Sequence, residues 1–197
     1  MAFLKDFSAE ERLMIISLPY RAGLFVSTSD AAGGHDADAQ ELEALERTIS
    51  GIVQGMFESA FVHEVMAETF LEKDEWPNWM KDIKGVPTEC HNVIRFLHGR
   101  LSQRDIDAYR HILMQIGLEV ARAFRESSTS APLIDKIFRQ ITLVVYRFFG
   151  ILQREKFVSE KILNVSYEED LALNTLAKAL RGDINDASES VGVITNS

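Results

Sequence analysis

Apolar residues recur at three- and four-residue steps along most of the chain, the spacing of helices that bury one face. The first run starts at Ser8, where Glu11 completes a capping box, and carries Leu13, Ile16 and Leu18 up to Pro19. Pro19 removes a backbone donor and marks a kink or a new start. Tyr20, Leu24 and Phe25 nevertheless continue the stripe towards Asp30, which predicts two helical pieces in near continuity. Residues 30–38 have the small, acidic and glycine-rich composition of a loop, and Asp38 with Glu41 forms a capping box at the head of the next helix. That helix is predicted to be long, with Leu42, Leu45, Ile49, Ile52, Val53 and Phe57 on one face, and to continue over 57–73 through Phe61, Val65, Met66 and Phe70. Within it Gly51 and Gly55 either permit close helix packing or mark a bend, since glycine weakens a helix by about 1 kcal/mol relative to alanine.

From Lys73 to Lys84 the pattern breaks around Trp76, Pro77, Asn78 and Trp79, as expected for a connector holding a short turn. Pro87 suits the first turn of a helix carrying Val93, Ile94, Leu97 and Leu101. Ser102 with Asp105 caps another that runs from Ile106 through Tyr109, Leu113, Ile116 and Val120 to Phe124. The short joint between the two predicts antiparallel neighbours. Beyond the Ser/Thr segment 127–131, Pro132 opens a helix that is apolar on most sides up to Phe148, the pattern of a central helix. A last helix is capped by Ser166 with Glu169 and ends at Gly182.

These elements predict an all-α fold, a single multi-helix domain over residues 1–182 with about seven to nine helices. Residues 183–197 are small and polar and read as a flexible C-terminal tail, disordered or loosely docked. Composition agrees: 46% apolar and 26% charged residues exclude a wholly disordered chain, and only 4 Pro and 11 Gly leave no room for the turns of a β-sandwich. A faint correspondence of residues 24–53 with 118–145 supports two similar helical halves.

Charge narrows the function. The formal balance of −9, from 30 acidic against 21 basic residues, repels phosphate backbones, so nucleic acid is not an expected partner. Cys90 is the only cysteine and cannot form an internal disulfide, which suits a reducing cytoplasm. The first residues carry no basic region followed by an apolar core, so no secretory leader is expected. The most apolar window, Ile141–Leu152, is interrupted by Tyr146 and Arg147 and is shorter than the roughly 20 residues of a transmembrane helix.

The run Leu18-Pro19-Tyr20-Arg21-Ala22-Gly23-Leu24-Phe25-Val26 leads to Asp30, a glycine-containing loop and an acid-headed helix with Glu41, Glu43 and Glu46. Further on, Tyr109 to Ala123 forms an alanine-containing helix with Gly117. In these features the chain resembles the tellurite-resistance TerB-like family, all-helical domains of two similar halves. It departs from that pattern where Ala31 follows Asp30 and where residues 127–131 carry no carboxylate. The resemblance implies a stress-response protein that binds metal ions through loop acids or acts as a membrane-associated scaffold.

The candidate metal ligands are Asp30, Asp36, Asp38 and Glu41, because a loop of carboxylates and carbonyls supplies the oxygens that calcium prefers. Asp30 to Glu41 spans the twelve positions of an EF-hand loop. Ala32 and Gly34 nevertheless stand where ligands belong, and His35 stands at the glycine position, so it is not one. Capping and helix-dipole complementarity account for Asp38 and Glu41 without any metal. His63, Glu64 and Glu68 on one helix, and His91 and His98 on another, match no di-iron or zinc pattern. Cys90 and His91 are adjacent and therefore point some 100° apart on a helix, so they form no nucleophile–base pair. Trp76, Trp79 and Met80 either close over the core or present an aromatic anchor to a partner. The sequence therefore favours a non-catalytic, cytoplasmic interaction or ion-responsive module, with a protein partner or a second copy on its helix faces. The alternative is an enzyme or small-molecule binder with a pocket between helices.

Overall fold

The computed structural model describes residues 3–29, 35–53, 55, 57, 59–126 and 167–182, and every element among them is helical. A 3-10 turn over Phe3–Asp6 precedes α1 (Ala9–Ser27), α2 (His35–Val53), α3 (Ala60–Leu71), a single turn α4 (Trp76–Trp79), α5 (Val86–Leu97), α6 (Gln103–Glu126) and α7 (Tyr167–Arg181). The segment proposed as a central helix, Pro132 to Phe148, lies outside the described residues, as do Ser166, residues 127–145 of the internal correspondence and the tail 183–197.

Among the described helices α1 is the centre, packing against every other one, most extensively against α6. Its sequence dictates this: from Ile15 to Leu24 every residue is buried, and a helix apolar on all sides must be covered on all sides. Pro19 does not split it. The carbonyl of Ile15, four residues earlier, loses its helical N–H partner and instead accepts from the Tyr109 hydroxyl of α6 at 2.6 Å. The next carbonyl, Ile16, accepts from Thr69 Oγ1 of α3 at 2.6 Å. Burial pushes the Tyr109 phenol well above its usual range, so this group is a donor throughout physiological pH.

Two glycines set how closely the helices approach. A methyl group at Gly23 of α1 would meet Leu45 Cδ1 of α2 and stand 2.9 Å from Ile116 Cγ2 of α6. At Gly117 of α6 it would stand 3.2 Å from both Val26 of α1 and Leu173 of α7. Gly51, by contrast, has no neighbour within 4 Å of where a methyl group would stand among the described residues. The long helix predicted to run on over 57–73 is interrupted: α2 ends at Val53, and α3 starts afresh with Ser59 as N-cap, its hydroxyl accepting from Val62 N–H at 3.2 Å. A second correction concerns α2, which begins at His35, so Asp38 and Glu41 lie inside it rather than at its cap. No breaker separates His35 from Asp38, and acids in a first turn favour the helix whether or not they cap it. The short joint after α5 also does not make α6 its main neighbour, since α5 packs chiefly on α7 and α1.

Candidate functional site

The carboxylates of α3 are held apart by the helices they brace. Glu64 accepts from the N–H groups of Phe3 at 2.6 Å and Leu4 at 3.2 Å, and so anchors the N-terminal turn. Glu68 pairs with Arg12 of α1, with Glu72 at 3.9 Å on the same guanidinium. His63 is exposed and sets its ring edge-to-face on Phe57. The three residues that the sequence groups on one helix therefore do not converge on a common point.

The most extensively bonded polar side chain of the described core is Arg21, which a charge inside the apolar run 18–26 foreshadows but which sequence reasoning passes over. Its side chain is only 9% exposed, and each of its five N–H donors has a partner. Nε and Nη2 grip Glu89 of α5 at 3.0 and 2.7 Å, Nη1 donates to the carbonyls of Trp79 at 2.5 Å and Lys81 at 2.7 Å, and Nη2 reaches Asp82 O at 3.4 Å. The guanidinium thereby fixes the connector as it crosses Asp82, whose φ of 49° is a left-handed conformation that aspartate tolerates better than most residues. Tyr20 stacks on Trp76 with ring centres 4.6 Å apart, and Trp76 donates to Thr69 O at 3.0 Å. Trp76 and Trp79 are thus core residues, whereas Met80 beside them is exposed.

Cys90 follows Glu89 on α5 and is fully enclosed. Burial pushes its thiol far above the ordinary value, with the Glu89 charge adding and Arg21 opposing, so it is an unreactive thiol rather than a nucleophile. A methyl group at Gly182, just past the end of α7, would stand 3.9 Å from the His91 ring, whose Nδ1 has no hydrogen-bond partner among the described residues. His98 is the C-cap residue of α5, with Nε2 3.0 Å from Arg110 Nη2. Since arginine only donates, that ring nitrogen accepts. The two histidines serve different contacts and share no site.

Of the acidic segment, Asp30 lies outside the described residues, as do the side chains of Asp36, Asp38 and Glu41. Among the described residues no three His, Cys, Asp or Glu side chains gather as metal ligands, and no helix is long and apolar enough to cross a membrane. Chemically, the described polar groups cap helices and cross-link them. Comparison of the chain with protein-family models, curated proteins and solved structures finds no match.

Proposed function

We propose that this chain is a non-catalytic helical module, akin to TerB-like stress-response proteins, that works by binding a partner or by responding to a divalent cation at Asp30, Asp36, Asp38 and Glu41. One observation carries the reading: Glu64, Glu68, Glu89 and Arg21 are engaged in bracing the described helices, and Cys90 is buried among them. A lone buried thiol suits a reducing cytoplasm, and a net charge of −9 suits a cation or a protein rather than nucleic acid. Leu13 and Met14 of α1, each about half exposed, are apolar positions for a protein partner or a second copy.

Crowded carboxylates repel one another, so an ion that binds only the folded segment raises stability by mass action, by about 2.7 kcal/mol at a hundredfold excess over its dissociation constant. Calcium is the expected ion, because it accepts irregular sets of carboxylate and carbonyl oxygens, whereas magnesium demands near-octahedral order and keeps its waters. Thermal unfolding with and without calcium checks this: the melting temperature should rise, and the rise should vanish in the Asp30→Asn/Asp36→Asn variant. No shift at millimolar calcium, or an equal shift in the variant, removes the ion response and leaves partner binding alone.

A further inference from the structure

We draw no further inference here: the strongest candidate, the exposed apolar surface patch of Leu13 and Met14 on the first half of α1, carries nothing because nothing in the structure shows what covers it.

Discussion

Pro19 leaves the Ile15 carbonyl without its helical donor in the middle of the core, and Tyr109 supplies the missing hydrogen bond from another helix. A buried acceptor stripped of its partner costs about 1–3 kcal/mol, so Tyr109→Phe should destabilise the protein by that amount. The same change in a Pro19→Ala background should cost less, because the restored backbone N–H at position 19 can take up the carbonyl. Urea unfolding of the four proteins measures the coupling, and equal costs in both backgrounds would show that the hydroxyl does not compensate for the proline. The glycines make a second contrast. Gly23→Ala gains about 1 kcal/mol of helix propensity but forces a methyl group into Leu45 and Ile116, and overpacking of about 1–3 kcal/mol should leave it less stable. Gly51→Ala meets no neighbour among the described residues and should stabilise by about 0.5–1 kcal/mol. Opposite shifts of the urea midpoint are the expected result.

Helix starts were legible where the signal is local and complete. Ser8 and Glu11 form the full capping box, with Glu11 N–H donating to Ser8 Oγ at 3.2 Å and Ser8 N–H to the Glu11 carboxylate at 2.8 Å. Ser102 likewise accepts from Asp105 N–H. The longer-range part was not legible: Asp105 also accepts from the Ser59 hydroxyl at 2.8 Å, so one carboxylate ties the start of α6 to the start of α3. Asp38-x-x-Glu41 misleads because acids three residues apart fit a helix surface as well as a cap, whereas of the two readings of Gly51 and Gly55 the bend holds: α2 ends at Val53 and Gly55 N–H closes a turn on Ile52 O at 2.9 Å. The Ser8 box makes a testable pH signature. The Ser8 N–H, foremost, holds the Glu11 carboxyl below its ordinary value, with Arg100 adding to it against the opposing desolvation. A depressed carboxyl contributes stability that is complete above its unfolded value and is lost as pH falls through the lower, folded one. Stability should therefore drop less on acidification in Glu11→Gln than in the unaltered protein, as read from urea midpoints between about pH 6 and about pH 3. Parallel decline would assign the acid sensitivity to other carboxylates.

At the scale of the whole molecule, helical class follows from the apolar pattern, whereas the central place of α1 among the described helices, which the pattern alone assigned to Pro132 to Phe148, depends on contacts between residues far apart in sequence. Arg21 to Glu89 and Tyr109 to Ile15 are of that kind, and no local spacing announces either. For the candidate site, the sequence supplied the chemistry of His63, Glu64, Glu68, His91 and His98, but only the packing separates them. Cys90 offers a probe of how cooperatively this assembly opens. As the chain's only cysteine, fully buried and kept protonated by its surroundings, it reacts with an alkylating reagent only when α5 leaves α1 and α7. If that opening is the global one, labelling by iodoacetamide tracks overall stability. Labelling should then be slow in the native protein, faster in Gly23→Ala and slower in Gly51→Ala, in proportion to the shift of each variant's urea midpoint. Labelling that is fast, or that ignores both substitutions, would show instead that α5 detaches on its own while the packing of α1 on α2 and α6 stays intact.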